Sequence, residues 1–229
     1  MSGPFQRPKT IAEAAQDEIR SLIARGDLGP GDRANEVTLS RRLGVSRGSI
    51  REALRALERE NLVEITANKG ARVRALDAQE ARDLYEIRIG LGVAAAAGIA
   101  ANTDAAFIER LHTLIAIMDE SAAAGDLLGF HEQNRRFHAT LIGQSGNARL
   151  TALYMALFDE VYLLRAMNFL SRGSTARSQR GHRLIVAAIE SRDADRVMAA
   201  IRDHIRGSRD FIISLFDAGE NGSKAAIQL

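Results

Sequence analysis

LGVSRGSIREALRALERE, residues 43–60, is the segment that decides the fold of the N-terminal part of the chain. Gly44 suits the left-handed residue that ends a helix, and Ser46 suits the N-cap of the helix that follows. Behind that cap, apolar residues recur at helical spacing and form a stripe that can bury against a core, namely Ile50, Leu54 and Leu57. The segment predicts a short helix, a glycine turn and a second, amphipathic helix.

Arginines occupy a different face of the second predicted helix. Arg47, Arg51 and Arg55 recur every four residues and therefore stack on one side. A helix-turn-helix with such a face is typical of proteins that place the second helix in the major groove of DNA. The alternative is a solvated charged helix, which charge alone would favour, but the turn between two helices favours DNA. We expect Arg55 and Arg59, which lie far from the helix N-terminus, to remain in solvent.

The composition excludes several classes of protein. The chain has 229 residues, 46% of them hydrophobic, which is ample for a core. It contains no cysteine, so disulfides, cysteine-ligated iron–sulfur clusters and thiolate zinc sites are excluded. Neither a signal peptide nor an apolar run of about 20 residues is evident, and the apolar residues 91–101 are expected to form a buried helix. We expect a soluble, cytoplasmic protein.

The charge is distributed unevenly. Residues 1–76 hold 14 Lys and Arg against 10 Asp and Glu, a net charge of +4, whereas residues 77–229 hold 17 against 19, a net charge of −2. A basic face on a nearly neutral chain indicates nucleic acid more than a membrane or an acidic protein.

The segments around the helix-turn-helix complete a recognisable domain. Residues 1–9 are expected to be a flexible arm, Thr10 to cap a helix that runs to about Arg25, and a further helix to span about 35–43. After the second helix of the motif, residues 63–66 and 71–74 alternate in polarity around a turn at Asn68-Lys69-Gly70. This pattern predicts a β-hairpin, the wing of a winged helix. The alternative is a hairpin that only packs on the helices.

A second domain is predicted to begin at residue 77. Asp77 followed by Glu80 is a capping-box pattern, and no strand pattern appears beyond it. We expect helices at about 78–101, 104–124, 127–143, 147–171, 176–192 and 193–216, with breaks at Gly125, Gly146 and Gly173 and a frayed tail from residue 219. Short connections between them predict an antiparallel bundle. The chain is therefore interpreted as mainly α, with a winged helix-turn-helix domain at 1–76 and an all-helical domain at 77–229.

Three histidines of the predicted bundle fall on faces that should be apolar: His138, His182 and His204. A single inward histidine is usually a hydrogen-bonded core residue. Three on separate helices, with Asn134 one turn before His138, are harder to explain, because buried polar groups without partners cost a few kcal/mol each. Imidazoles suit Zn, Ni, Cu or Fe, and an amide oxygen is a weaker fourth ligand. His131 borders the same face or lies on the surface, and His112 is taken as structural or exposed.

Several motifs together resemble a known family. The N-terminal ones resemble the DNA-binding domain of GntR-type bacterial regulators: Gly29-Pro30-Gly31-Asp32, Leu43-Gly44-Val45-Ser46-Arg47, Arg51-Glu52-Ala53-Leu54 and Asn68-Lys69-Gly70. The C-terminal ones resemble the helical FCD effector domain of the fatty-acid-regulator subfamily: Asp83-Leu84-Tyr85-Glu86-Ile87-Arg88, Asn134-Arg135-Arg136-Phe137-His138, Ser145-Gly146-Asn147, Gly181-His182-Arg183 and Asp203-His204-Ile205. The resemblance spans about residues 10–216.

The resemblance implies a ligand site in the bundle. In many members an Asp and three His hold a metal, which then helps bind the effector, and the matching residues here are Asn134, His138, His182 and His204. For this chain we expect a divalent metal such as Zn or Ni at these residues. Asn134 removes the only anionic ligand, which should weaken the binding of a dication. Arg88 matches an arginine that often faces the effector, and it suits a carboxylate. The chain also departs from the family at Gly92, where Glu is usual, at Val37, where Arg is common, and at Gly48-Ser49, where Thr-Pro is frequent.

The resemblance implies a homodimer that binds a palindromic DNA operator and responds to a small organic acid, most simply as a repressor. Arg47 and Arg51 are the expected readers of base edges, because arginine pairs bidentately with guanine. The expected phosphate contacts come from the start of the second helix, from the end of the helix before it and from the hairpin tip: Ser46, Ser49, Arg41, Arg42, Lys69 and Gly70. The expected effector contacts are Arg88, Asn134, His138, His182 and His204.

Two alternatives remain open at this stage. In the first, the metal itself is the signal, so the protein is a metal-sensing regulator. In the second, the histidines form the catalytic site of a metalloenzyme. The second is weaker, because no carboxylate beside the histidines stands out as a general base and no nucleophile motif or phosphate-binding glycine loop occurs. We therefore predict a regulator and not an enzyme.

Overall fold

The computed structural model of the protein describes residues 8–166 and 172–226. The chain divides into two compact units: of the described residues, the first comprises 8–75 and 162–166, and the second comprises 76–161 and 172–226. Each unit is considered by itself. The division lies one residue from the boundary expected from the capping-box pattern, and the assignment of DNA binding to one side and effector binding to the other stays a prediction.

The N-terminal unit is a winged helix-turn-helix. Its helices are α1 (Ile11–Ala24), α2 (Glu36–Leu43) and α3 (Arg47–Arg59), followed by strands β1 (Val63–Thr66) and β2 (Gly70–Val73). Thr10 caps α1 in a capping box and Gly44 ends α2 in the left-handed conformation with φ 67°, as predicted. The two strands pair antiparallel from Val63 opposite Val73 to Thr66 opposite Gly70. The predicted hairpin is therefore confirmed.

One continuous core holds the helices and the hairpin together. Apolar residues of α1, α2 and α3 meet those of the two strands, and the fully buried members include Ile19, Leu22, Ile23, Ile50, Leu54 and Leu57. The hairpin is also tied to the loop before α2, because Arg72 donates to the carbonyl of Gly31 at 2.7 Å and Arg33 donates to the carbonyl of Lys69 at 2.9 Å. The wing therefore has a fixed register on the helices.

The second unit contains, in the part of the chain that the structure describes, six helices and no strand. They are α4 (Ala78–Ala101), α5 (Ala105–Ala124), α6 (Leu127–Gly143), α7 (Ala148–Ala166), α8 (Arg172–Glu190) and α9 (Ala194–Ala226). Asp77, Asp104 and Asp126 cap the first three of them, each accepting from a backbone N–H three residues on. The predicted mainly α fold is confirmed.

Close contacts between helices build the bundle. Helix α4 packs along α9, α5 packs against α6 and α8, and α8 packs against α9. A Cβ atom added to Gly92 of α4 would lie 2.8 Å from Ile201 Cγ2 and 3.1 Å from Ile205 Cδ1 of α9. The missing side chain at Gly92 therefore lets two helices approach more closely than any other residue would allow.

The helix boundaries differ from the predicted ones at the C-terminal end. Gly173, predicted in a break, lies within the first turn of α8, and α9 continues to Ala226 instead of ending near 216. No proline follows Pro30 to interrupt these helices, and glycine lowers helix stability by only about 1 kcal/mol. Most of the predicted N-terminal arm (residues 1–7), the predicted end of the fourth bundle helix (167–171) and the last residues of the predicted tail (227–229) lie outside the described residues.

Among the described residues, one helix, α4, is long and apolar enough to cross a membrane by length and composition. Its apolar residues line the bundle core, where Tyr85, Ala95 and Ile99 are buried. The apolar character of residues 91–101 is thus explained by packing, as predicted.

Candidate functional site

The second helix of the motif, α3, exposes its arginines and buries its apolar stripe. Ser46 caps the helix by accepting from the N–H of Ser49 at 3.1 Å, and the two hydroxyl oxygens lie 2.9 Å apart. Ile50, Leu54 and Leu57 are at most 1% exposed. The arginines at 47, 51, 55 and 59 are all exposed. The face predicted to read DNA is therefore open to solvent within its own unit.

Glu36 of α2 contacts two arginines of this face. Arg51 donates from Nε to Glu36 Oε1 at 2.9 Å and from Nη2 to Glu36 Oε2 at 2.8 Å, while Arg47 Nη2 lies 3.8 Å from Glu36 Oε2. The hydrogen bonds from Arg51 hold the pKa of Glu36 below its usual range, and the same pair raises the pKa of Arg51. Sequence reasoning missed Glu36, because no periodicity relates α2 to α3.

The other residues predicted to contact DNA are also at the surface. Arg41 is exposed, and Arg42 is exposed while donating to Asp27 at 2.7 Å. Lys69 and Gly70 lie at the exposed end of the hairpin, where Gly70 has φ 82°. Each of these groups is able to approach a phosphate, and none is buried in its unit.

The three inward histidines meet in the core of the bundle. His138 of α6, His182 of α8 and His204 of α9 each offer a ring nitrogen, and these nitrogens lie within 4.8 Å of one another. The ring centroids are 4.8 to 5.5 Å apart. We call these three residues the histidine cluster. His138 and His182 are buried, and His204 is half-buried.

Asn134 adds an amide beside the histidine cluster. It lies one turn before His138 on α6, it is 2% exposed, and its Oδ1 atom has no hydrogen-bond partner among the described residues. An unsatisfied buried oxygen costs roughly 1–3 kcal/mol, so such an atom in a native protein requires an explanation. A metal ion or a ligand donor at this position would supply the missing partner.

Glycine at position 181 makes room for the cluster. A Cβ atom at Gly181 of α8 would collide with Nδ1 of His204, and it would lie 3.1 Å from the ring Cγ atom. Any side chain at this position would push the imidazole aside. The glycine of the Gly181-His182 pair is therefore required by the ring of α9, which explains why the two residues occur together.

The donor set fits a divalent metal. Three imidazoles and one amide oxygen leave coordination positions for water or a ligand oxygen, as in sites with an open position. Two atoms that bind one ion at about 2.0–2.2 Å lie no more than about 4.4 Å apart, so nitrogens separated by up to 4.8 Å would have to move closer together to share an ion. The absence of an anionic ligand distinguishes this set from one built with an aspartate.

Arg88 places a buried cation near the cluster. Its side chain on α4 is 4% exposed, and its guanidinium carbon lies 5.1–5.3 Å from the ring centroids of Tyr85, Tyr154 and Phe158. It donates from Nη2 to the hydroxyl of Tyr154 at 3.2 Å, while its Nε has no hydrogen-bond partner. Among the side chains that the structure describes, no carboxylate pairs with it.

Tyr154 links this cation to the histidine cluster. Its hydroxyl lies 3.2 Å from Nδ1 of His138 and accepts from Arg88. The hydroxyl of Tyr85 is buried without a hydrogen-bond partner among the described residues. Sequence reasoning missed both tyrosines. The apolar spacing of Leu150, Tyr154 and Phe158 signals a core stripe, but it does not indicate which polar group the hydroxyl meets.

The remaining two histidines occupy different environments. His131 is 2% exposed and lies edge-on to Phe130, so of the two alternatives for this residue the buried one is correct. His112 is exposed, and its Nε2 lies 3.0 Å from Glu190 Oε1 on α8. Neither belongs to the histidine cluster.

A winged helix-turn-helix followed by an all-helical domain with a buried polar cluster is an architecture typical of ligand-responsive DNA-binding regulators. Residues 11–73 match the bacterial regulatory proteins of the gntR family, and residues 83–207 match the FCD domain. The chain belongs to the gntR family and carries an FCD domain. It is therefore a transcriptional regulator and not an enzyme.

Relatives agree with this assignment. The chain is 32% identical over 188 residues to the Nta operon transcriptional regulator of Aminobacter aminovorans, covering 81% of this chain and 87% of the relative. It is 31% identical over 199 residues to the probable D-xylose utilization operon transcriptional repressor of Paenarthrobacter nicotinovorans, covering 86% of both. In fold it is similar to E. coli McbR/YncC, with a TM-score of 0.79 and 18% identity over 91% of this chain and 100% of that one.

Proposed function

We propose that the protein is a repressor whose DNA binding is controlled by a small organic acid held in the second domain. The observation that carries this proposal is Arg88: a buried guanidinium with no carboxylate partner in the described part of the chain. An uncompensated buried charge costs several kcal/mol, so such a site favours a ligand that brings the missing anion. A carboxylate is the matching ligand, because it can accept two hydrogen bonds from one guanidinium.

The groups around Arg88 define the ligand further. Nε of Arg88, the hydroxyl of Tyr85 and Oδ1 of Asn134 are buried without hydrogen-bond partners among the described residues. A compact acid with a hydroxyl matches these groups in kind, because its carboxylate can accept from Arg88 and Tyr85 and its hydroxyl can donate to the oxygen of Asn134. The phenyl ring of Phe158, 4.9 Å from the ring of His138, supplies an apolar wall. We therefore propose a small polar acid and not a long aliphatic one.

A divalent metal belongs to this proposal as a bridge to the ligand. Asn134, His138, His182 and His204 would hold it, and the metal would supply a positive centre for the oxygen atoms of the acid. The residues of the chain would position the acid: Arg88 binds its carboxylate, and Tyr154 orients both Arg88 and His138.

In this proposal the N-terminal domain binds the operator. A single α3 reads too few bases for specificity in a genome, so the protein acts as a homodimer on two inverted half-sites of a palindromic operator. Arg47 and Arg51 read base edges, while Ser46, Ser49, Arg41, Arg42, Lys69 and Gly70 contact phosphates. The acid shifts the dimer only if it binds the DNA-competent and incompetent forms with different affinities. The protein acts in the cytoplasm, where its operator lies.

The test has two stages. First, the full-length protein selects its operator from a random duplex library, and light scattering gives its mass alone and on DNA. We expect two inverted half-sites and a dimer; a single half-site bound by a monomer would contradict the proposal. Second, small mono-, di- and tricarboxylic acids, with and without a hydroxyl, are added to the protein–operator complex. We expect one class of acid to release the DNA.

An Arg88→Gln variant connects the release to the buried cation. We expect the affinity for the releasing acid to fall by roughly tenfold to a hundredfold, because the lost charge-assisted hydrogen bonds are worth about 1.5–3 kcal/mol. Arg136→Gln, an exposed position on α6, is the matched control and should retain full affinity. Unchanged acid affinity in Arg88→Gln would remove the basis of the proposal.

A second candidate function is metal sensing, which the convergence of the histidine cluster favours. Zinc, nickel or cobalt salts are titrated into the protein–operator complex without any organic acid. If the metal alone releases the DNA, the signal is the metal and not an organic acid. No release by the metal, together with release by an acid, supports the first proposal.

A further inference from the structure

We infer that Gln179 is a positioning residue that fixes the tautomer of His182, so that Nε2 of this ring, which lies 3.4 Å from the hydroxyl oxygen of Ser178, keeps its lone pair. The inference deepens the proposed function, since it concerns the same site. It rests on a chain of hydrogen bonds that leads from the surface of the second domain to the cluster. Gln179 lies on α8, three residues before His182, and is 3% exposed.

The first step is the orientation of the Gln179 amide. One end of the amide lies 3.0 Å from the carbonyl oxygen of Ile115 and 2.8 Å from Oδ1 of Asp119, both on α5. A backbone carbonyl can only accept, and an ionised carboxylate can only accept. The end that faces both of them must therefore be the NH₂ group. The assignment of nitrogen and oxygen in this amide thus follows from its partners.

The second step is the tautomer of the imidazole. The other end of the amide is then Oε1, and it lies 2.9 Å from Nδ1 of His182. An amide oxygen can only accept, so Nδ1 of His182 carries the hydrogen. In a neutral imidazole with a hydrogen on Nδ1, Nε2 has a lone pair and is the nitrogen that can bind a metal. Gln179 thereby prepares His182 as a ligand before any ion arrives.

Gln179 is itself held by Asp119 of α5. Asp119 also accepts from Arg183 Nη2 at 2.5 Å, one turn beyond Gln179 on α8. Asp119, Gln179 and Arg183 line a surface cleft of about 450 Å³ between α5 and α8. One carboxylate of α5 therefore contacts both the buried amide of Gln179 and an exposed arginine of α8. Two helices are joined at the same point.

His138 provides a contrast within the same cluster. Its Nδ1 faces the hydroxyl of Tyr154, a group that can donate as well as accept. Such a partner does not fix which nitrogen carries the hydrogen. The amide at Gln179 has a defined direction because both groups at its other end are acceptors. The tautomer of His182 is thus set by the fold, whereas that of His138 depends on what Tyr154 does.

The test reads the tautomer directly in the metal-free protein. Long-range ¹H–¹⁵N spectra of the full-length chain distinguish a hydrogen on Nδ1 from one on Nε2. We expect His182 to hold its hydrogen on Nδ1. In Gln179→Met, which keeps the length of the side chain and removes the amide, we expect a mixture of tautomers. A hydrogen on Nε2 in the wild type, or an unchanged spectrum in Gln179→Met, would overturn the inference.

Metal affinity provides a second readout. Cobalt(II) alone is titrated in competition with a chromophoric chelator. We expect Gln179→Met to bind it about 10- to 100-fold more weakly, the range typical of lost partners of metal-binding histidines. Asp119→Asn, which keeps an acceptor for Gln179, is the matched control and should bind as the wild type does. Equal weakening in both variants would mean that the contact only joins α5 to α8.

A double variant separates positioning from a general loss of structure. Gln179→Glu combined with Asp119→Asn keeps an acceptor for Nδ1 of His182 and a donor at position 119, although a carboxylate oxygen then faces the carbonyl of Ile115. We expect it to recover part of the cobalt affinity lost in Gln179→Met. No recovery, with circular dichroism that matches the wild type, would count against the inference. If Gln179→Met does not fold, the wild-type tautomer and the double variant still decide.

The outcomes separate this inference from the proposed function. A wild type with the hydrogen on Nδ1 that binds an acid but no metal would support the role of Gln179 and remove the metal from the proposal. A wild type that binds metal and acid with His182 in the other tautomer would overturn the role of Gln179 and leave the proposed function standing.

Discussion

Arg51 is held side-on by Glu36, through Nε and Nη2, so that the end of its guanidinium remains free of that pair. A guanidinium has five N–H donors, and this pairing uses two of them. Recognition of guanine O6 and N7 requires two donors at the far end of the fork. A side-on carboxylate and an end-on base are therefore compatible. Glu36 can thus orient Arg51 toward a base without competing for the same hydrogens.

Arg51→Ala should abolish the preference of the protein for its operator. We expect the ratio of specific to non-specific affinity to fall by roughly tenfold or more, because a bidentate contact to guanine is lost. Fluorescence anisotropy with operator and scrambled duplexes over a range of salt concentrations measures both affinities. Arg59→Ala, at the exposed far end of α3, is the control and should keep the ratio. An unchanged ratio in Arg51→Ala would refute the assigned docking.

Glu36→Gln should separate specificity from affinity. Loss of the carboxylate removes a negative charge that repels phosphate, so non-specific binding should strengthen. The guanidinium of Arg51 loses a charge-assisted partner, so its orientation is less fixed and the specific to non-specific ratio should fall. The same anisotropy assay measures both changes. A parallel rise in specific and non-specific affinity would show that Glu36 acts only through its charge.

Acid should destabilise the N-terminal domain by protonating carboxylates whose pKa is lowered in the folded state. Arg51 lowers the pKa of Glu36, and a hydrogen bond from Lys9 is the largest cause of the lowered pKa of Asp17. A carboxyl with a lowered folded pKa contributes stability that is fully present above its unfolded pKa and lost as the pH falls through its folded pKa. We expect the urea midpoint to stay constant from pH 8 to about 5 and to fall below about pH 4. A midpoint that rises on acidification would contradict this.

Gly92→Ala should destabilise the second domain, and Gly90→Ala on the same helix should not. A Cβ at Gly92 meets Ile201 and Ile205, whereas nothing lies within 4 Å of a Cβ at Gly90. Overpacking typically costs about 1–3 kcal/mol, while replacing a helical glycine with alanine gains up to about 1 kcal/mol. Thermal and urea unfolding of the two variants measures the difference. Equal stability would mean that α4 and α9 adjust freely.

Asn134→Asp should strengthen metal binding. The substitution supplies an anionic oxygen at the position where the amide Oδ1 has no partner among the described residues. Attraction between a carboxylate and a dication in a buried site exceeds the roughly 1.4 kcal/mol that corresponds to tenfold, so we expect at least a tenfold gain. Competition with a chromophoric chelator measures it. Asn134→Leu should lose affinity relative to the wild type, and a gain in both variants would contradict the assigned ligand set.

Local sequence patterns predicted the helices and strands well, but they did not predict the side-chain contacts between one helix and another. Thr10, Ser46 and Asp77 correctly predicted where helices begin, because the side chain of an N-cap residue accepts a hydrogen bond from a backbone N–H only two or three residues further on. The inward histidines were predicted because polar groups on an apolar face stand out. Glu36 and Gln179 were not, because each meets a partner on another helix, and helical periodicity carries no information about such pairs.

Departures from the family pattern were visible in the sequence, but their physical meaning was not. Gly92 was noted only as a missing glutamate, whereas in the structure it faces Ile201 and Ile205 of α9 with no room for a side chain. Arg88 was expected to face an effector, and its lack of an acidic partner in the described chain gives that expectation a physical basis.

The packing at Gly92 limits how the second domain can deform. Arg88 lies one turn before this glycine on α4, and His204 lies between Ile201 and Ile205 on α9. A displacement of α4 along α9 would have to lift the glycine out from between the isoleucine methyl groups. We therefore expect the two helices to move together. The hinge of a ligand-driven motion is then expected elsewhere in the domain, most directly in α6, which carries Asn134 and His138 and contacts α9 through the stacked rings of His138 and His204.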